Sequence, residues 1–306
     1  MTPEDVKNLI ERYLPTLQNR GLETIELAFF GGSFTGIPMD EQSAFLAVAK
    51  EYKDKGIIDK IHMSTRPDYI NRDILDNLKK YDADIIELGV QSFDPEVLTA
   101  SNRGHSAEDV YKACDLIKEY GFELGIQLMI GLPQDNLEKC IYSANESVKI
   151  GPSIARLYPT IVLNDTELYN MYEAGIYDPL TTDQAVEITK KMYRILDEAG
   201  INIVRVGLKS TDLITEGGEV RGHTYHPAFR QLVEGQLARE ELEKQLTQQL
   251  KNADSFAFLS NGTSFSNMIG NAKANKIYFA EKYPNLKITY KVDHSLEHGK
   301  FIVVKY

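Results

Sequence analysis

Residues 28–34 read Ala28-Phe29-Phe30-Gly31-Gly32-Ser33-Phe34. An apolar, aromatic strand from Thr24 to Phe30 runs straight into two glycines and a small hydroxyl residue. A strand that is apolar on both faces belongs in a parallel sheet covered on both sides. Glycines at its end let bare backbone approach a ligand, because no Cβ stands in the way. One Gly-Gly pair is a weak signal alone. Its weight comes from three more strand ends of the same kind: Ser64-Thr65-Arg66-Pro67, Gly89-Val90-Gln91-Ser92 and Met129-Ile130-Gly131-Leu132-Pro133.

Outward from this stretch, strand and helix patterns alternate. Thr2, Pro3 and two acids open a helix that Pro15 is expected to kink or end, with Gly21 closing the segment. Asp40 opens a helix to about Lys53. Strands follow over Ile57–Thr65, Asp84–Gln91, Leu124–Ile130, Ala155–Val162 and Ile201–Leu208. Between them, Asn71 opens a helix with Ile74, Leu75 and Leu78 on one face. Ser106 with Asp109 forms a capping box, and Thr181 with Gln184 caps a helix carrying Ala185, Ile188, Met192 and Ile195 at helical spacing. Six strands with intervening helices predict an α/β fold built of βα units around a parallel sheet, with ligands at the C-terminal strand ends. After about Gly218 the rhythm changes to one long helix and short strands, a small C-terminal α+β appendage. The expected domains are 1–220 and 221–306.

The 306 residues are 42% hydrophobic and 26% charged, the composition of an ordinary soluble domain. No apolar run approaches a membrane span and Met1-Thr2-Pro3-Glu4-Asp5 is no signal peptide, so no membrane partner and a cytoplasmic location are expected. The net charge of −11 argues against a broad nucleic-acid surface. It is uneven: residues 221–306 hold twelve Lys and Arg against eight Asp and Glu, a net of +4, which leaves −15 for residues 1–220. Cys114 and Cys140 form no cluster motif.

The segments AFFGGSF from Ala28, STRPD from Ser64, GVQSF from Gly89, NRGHS from Asn102 and LMIGLP from Leu128 together resemble the radical S-adenosylmethionine (SAM) superfamily. Within it the chain is similar to the Elongator catalytic-subunit-like branch and, more loosely, to the oxygen-independent coproporphyrinogen oxidases. The resemblance covers about Thr24 to Ile176. It implies a partial (βα)6 TIM-like barrel, in which an iron–sulfur cluster of the [4Fe-4S] type reduces SAM to a 5′-deoxyadenosyl radical. It also implies roles. Gly31 and Gly32 let backbone carbonyls meet the SAM ammonium group, with Ser33 where relatives carry Glu or Thr. Ser64 and Gln91 face the ribose or methionine part, and Arg103 pairs with the carboxylate, a task that suits a guanidinium fork. Gln127 and Met129 lie where relatives contact ribose and adenine.

Duller readings stand beside these. Ser64 could cap a turn, Gln91 could be a satisfied core residue, Arg103 could pair with Asp94 or Glu96, and Met129 could be core. The orientation of Gln127 depends on a register the sequence does not fix.

The chain departs from the family in one respect. Three cysteines in a Cys-x-x-x-Cys-x-x-Cys loop hold the cluster in relatives, and that loop would precede Met1. Cys114 and Cys140 read as packed helix residues. The expectation is a barrel lacking its first strand and cluster loop, inactive in radical chemistry by itself. The branch further implies a tRNA substrate, which the basic 221–306 segment could touch, and acetyl-CoA, for whose transferase domain that segment is too short. Two rival readings remain: a cluster-free SAM- or nucleotide-binding module, and an unrelated βα-barrel enzyme holding a metal with Glu26, His62 and Glu87.

Overall fold

The computed structural model describes residues 1–18, 24–211, 214, 218–250 and 253–305. Gly21 lies outside them. The chain divides into two compact units, one of residues 1–158 and 195–204, the other of 159–194 and 205–306. The boundary expected at 220/221 falls inside the second.

In the first unit the order is α1 (Pro3–Gln18), β1 (Glu26–Phe29), α2 (Met39–Asp54), β2 (Lys60–Thr65), α3 (Arg72–Lys80), β3 (Ile85–Gln91), α4 (Pro95–Ala100), α5 (Ala107–Glu119), β4 (Glu123–Ile130), α6 (Leu137–Ile150) and β5 (Ile154–Pro159). β6 (Val162–Leu163) and α7 (Glu167–Glu173) follow. Then α8 (Thr182–Glu198) and β7 (Asn202–Val206) run across the division of the chain. Six parallel strands in the order β1-β2-β3-β4-β5-β7 curl into a half-barrel, the partial TIM-like form.

The helices start where capping chemistry places them. Asn71 and Asn136 accept hydrogen bonds from the backbone N–H groups of Ile74 and Lys139, and Ser106 and Asp109 satisfy each other's N–H groups reciprocally. Asp94 accepts from Glu96 and Val97 to open α4. β3 is buried at all seven positions, as a central strand covered on both faces must be. α1 continues through Pro15 to Gln18, so Pro15 does not itself end the helix. Pro15 sits in the last turn and forfeits the one hydrogen bond that its N–H would give to the Glu11 carbonyl.

The second unit adds β8 (Val220–Arg221), α9 (Phe229–Gln249), β9 (Ser255–Ser260), α10 (Phe265–Ile269), α11 (Ala274–Lys282), β10 (Lys287–Val292) and β11 (Phe301–Lys305). The strand expected over 155–162 is in fact two. β5 stays in the half-barrel, while β6 pairs antiparallel with β8, Val162 opposite Arg221. β9 lies between a parallel β10 and an antiparallel β11. Their inner face packs Phe256, Phe258 and Val303 against Leu242 and Leu246 of α9, Met268 of α10 and Phe279 of α11. None of the described helices is long and apolar enough to cross a membrane.

Candidate functional site

β1 ends at Phe29, and Gly31 then turns with φ +105°, a conformation that side chains rarely adopt. A Cβ built on Gly31 or Gly32 would meet no atom within 4 Å, so both glycines offer open backbone. Ser33 follows at extended φ/ψ and leads into a short turn of 3₁₀ helix over Phe34–Gly36. The loop is fixed just beyond the glycines. The Thr35 and Thr65 hydroxyls lie 2.6 Å apart in buried surroundings, and Thr35 also donates to the Tyr69 carbonyl. Gln42 donates to the carbonyls of Thr35 and Ile37. The glycine loop is thereby tied to the C-terminal end of β2.

The end of β3 is irregular. Its register with β4 shifts between Gly89 and Gln91, and Gln91 takes a left-handed φ of +68°. Its side chain folds back over Gly89, where a Cβ would come within 2.7 Å of Gln91 Nε2. Gln127 of β4 donates to Gln91 Oε1 at 3.0 Å. Gln91 is buried and Gln127 half-buried. A β-branched or bulky residue would not adopt this bulged, positive-φ end, and such outliers concentrate at functional sites.

Arg103 lies in the turn between α4 and α5, and its Nε is buried with no hydrogen-bond partner. Burial, then the neighbouring Arg66 guanidinium, pushes its pKa below the usual arginine range. Arg66 itself is clamped by Asp68 through two bonds, 2.9 and 2.8 Å. Asp94 and Glu96, the possible partners of Arg103 in the sequence, are engaged by Lys139 instead. His105 is buried, and its Nε2 lies 3.1 Å from the Val90 carbonyl. A carbonyl only accepts, so Nε2 carries the proton and Nδ1 holds a buried, unpartnered lone pair. Burial drives its pKa down and keeps the ring neutral. Ser64, one residue before the end of β2, and Met129, one before the end of β4, are half-buried.

The expected residues therefore fall into groups. Gln91 and Gln127 touch; Gly31, Gly32 and Ser33 share one loop tied to β2; Arg103 stands with Arg66, Asp68 and His105. Thr35, Arg66 and Asp68 are additions that the sequence reading does not contain. Arg66 and Asp68 lie in the Ser64-Thr65-Arg66-Pro67-Asp68 run itself, and the charge next to a strand-end proline is the available signal.

A polar layer lies deeper in the sheet. Glu87 Oε2 is 2.7 Å from Arg156 Nε, and His62 stands between Glu87 (3.9 Å) and Glu26 (3.5 Å). Glu87 is 1% exposed, and burial pushes its carboxyl up to about 7, against the pull of Arg156. Glu26 is much less buried than Glu87: its side chain is 40% exposed. β1 is an edge strand with one neighbour in the sheet, which leaves it less covered. No group of three His, Cys, Asp or Glu able to hold a metal ion exists among the described residues, and Glu87 faces a guanidinium rather than an open coordination position.

The cysteines do not fit an iron–sulfur cluster. Cys114 in α5 and Cys140 in α6 are both buried and free. Burial pushes the Cys114 thiol up to about 12 and Cys140 further up, the latter donating to Asp135 at 3.1 Å. Cluster ligation needs several converging thiolates.

The Radical SAM superfamily model matches residues 1–145, and the Radical SAM C-terminal domain model matches residues 152–239. The tRNA uridine(34) acetyltransferase of Methanocaldococcus infernus is 30% identical over 217 residues, 61% of this chain and 41% of that protein. Elongator complex protein 3 of Dictyostelium discoideum is 26% identical over 226 residues, 63% of this chain and 40% of that protein. Among solved structures, the archaeal Methanocaldococcus infernus Elp3 with an N-terminal deletion aligns with a TM-score of 0.67 at 24% identity, over 79% of this chain and 62% of that one, which shows a shared fold. The chain spans about two fifths of the length of these curated relatives. Two adjoining models of one superfamily thus account for most of the sequence, over strands that form its half-barrel, and the chain belongs to the radical SAM superfamily.

Proposed function

We propose that this chain is the SAM-holding barrel of an Elongator-type enzyme that modifies tRNA. The observation that carries the reading is a set of three features: two open glycines after β1, a hydrogen-bonded glutamine pair on the bulged end of β3 and on β4, and a buried Arg103 Nε without a partner in the turn between α4 and α5. These fit SAM. A sulfonium nucleotide with an amino-acid head offers an ammonium group for the carbonyls of Gly31 and Gly32, a carboxylate for Arg103, and hydroxyls for Gln91 and Gln127. Ser33 and Ser64 would contribute small hydroxyls, and Met129 would offer an apolar surface to the adenine. When bound to a reduced cluster, SAM supplies a carbon radical that abstracts hydrogen. The residues here hold and orient the cofactor and keep water from it. Because the two thiols do not fit a cluster, this chain is expected to bind SAM without cleaving it. The tRNA substrate is supported by the activity for which the archaeal relative is named and by the net +4 of residues 221–306. Residues 1–220 supply the cofactor barrel in this reading, and 221–306 the RNA-facing appendage.

Calorimetric titration with SAM tests this. Wild type should bind, and Arg103→Ala and Gln91→Ala should each weaken binding about tenfold, the scale of one lost hydrogen bond to a charged group or of a pair left unmet. Under reducing, anaerobic conditions the chain should release no 5′-deoxyadenosine. Variants that bind as well as wild type would remove the strand ends from the cofactor site. Nucleoside release would show a cluster that these cysteines do not explain.

A further inference from the structure

Phe30 is one of the exposed large apolar residues of the half-barrel unit. It follows β1 directly, precedes the glycine pair, and is 45% exposed. Its ring is nonetheless held. The Arg156 Cζ lies over the ring 4.3 Å from the centroid, and His62 meets it in a T-shaped contact at 4.9 Å and 75°. Arg156 is fixed in turn by the Glu87 carboxyl at 2.7 Å and the Tyr158 hydroxyl at 3.3 Å. One side of the ring is thus occupied by a cation, one contact by an imidazole, and the rest is open. An aromatic plate already fixed in place loses little entropy on binding a planar ligand. Behind it, Glu87 and His62 are buried, so the ring's support lies inside the sheet while the ring itself is exposed.

The ligand that suits this arrangement is planar and uncharged, and lays a flat face on the exposed ring. Phosphate is disfavoured near a segment of net −15. A nucleobase meets the requirement, because unpaired RNA bases are held by stacking on aromatic side chains while the phosphates are bound elsewhere. We propose that Phe30 is the stacking platform for the substrate's base, held in position by the Arg156–Glu87 pair. This rests on the tRNA reading given under Proposed function.

The chain contains no tryptophan, so Phe30→Trp places a single reporter at the platform. Its emission should be quenched by tRNA and left unmoved by SAM. A Tyr13→Trp control on exposed α1 should respond to neither. Phe30→Leu should weaken tRNA binding about tenfold, and Phe30→Tyr should keep it within about twofold, because stacking follows the ring. SAM affinity, measured in parallel, should be the same in wild type and both variants. If tRNA binds but the Phe30→Trp reporter does not respond and Phe30→Leu binds equally well, the platform is wrong and the tRNA reading stands. Quenching by SAM instead of tRNA would assign the ring to the cofactor's adenine and overturn the proposal. A wild-type chain that binds no tRNA would remove the substrate reading and the platform together.

Discussion

At Glu87, burial and charge oppose each other. Its carboxyl is 1% exposed and titrates at about 7, above the 4.5 of a free glutamate, because burial outweighs the attraction of Arg156. A group whose folded pKa is raised favours folding at low pH. The stabilisation is complete below the unfolded value and is lost as pH rises through the folded one. The span corresponds to about 3 kcal/mol. Glu87→Gln cannot titrate, so the stability of wild type minus that of the variant should fall between about pH 5 and pH 8. Urea unfolding across that range measures it, and a level difference would show that Glu87 titrates normally. The neighbouring glycines make a second contrast. Gly31 sits at φ +105° and Gly32 does not, yet neither would meet a neighbour if given a Cβ. Gly31→Ala should cost about 1–2 kcal/mol of stability through backbone strain alone. Gly32→Ala should change stability by less than about 0.5 kcal/mol and still weaken SAM binding, since its methyl would enter space needed by the ligand. Equal stability losses would contradict the assigned conformations.

Between elements, the glycine loop depends on β2 through the Thr35–Thr65 contact. Thr65→Val keeps the shape of the side chain and removes its hydroxyl, so one buried hydrogen bond is lost at a cost of about 0.5–1.5 kcal/mol. Thr35 keeps its bond to the Tyr69 carbonyl, so the loop should loosen locally without the sheet unfolding. Faster amide exchange over 31–36, with β3 unchanged, is the expected signature. Exchange rising equally in β3 would mean that the contact stabilises the whole sheet. The same scale explains what can be read from the sequence. Caps at Asn71, Ser106 and Thr181 are local chemistry, and each opens a helix where its residues predict one. The six strands of the half-barrel carry their own apolar signal, which gives their succession and their glycine-bearing ends. The β6–β8 ribbon does not show, because two residues define no period. Nor do the left-handed Gln91, the Gln91–Gln127 bond or the Glu87–Arg156 pair, all of which depend on strand register and on which strands face one another across the curl. The helix continues past Pro15 only to Gln18, an extent that the residue type alone does not give.

For the whole molecule, charge is divided along the chain, with −15 in residues 1–220 and +4 in residues 221–306. If the proposed tRNA reading holds, phosphates are repelled by the acidic segment and attracted by the basic one. Lys273, the residue that precedes α11, and Lys276 in its first turn are both exposed. If they neutralise phosphates, the logarithm of tRNA affinity should fall linearly with the logarithm of salt concentration. Replacing both with Glu should lower the magnitude of that slope by roughly 2, and weaken binding of any RNA sequence alike. Phe30→Leu, by contrast, removes stacking and should leave the slope unchanged while lowering affinity at every salt concentration. Binding measured from low to physiological salt separates the two contributions. A slope unaffected by the lysine substitutions would place the phosphates on another surface, and the charge division would then carry no weight in how tRNA is held.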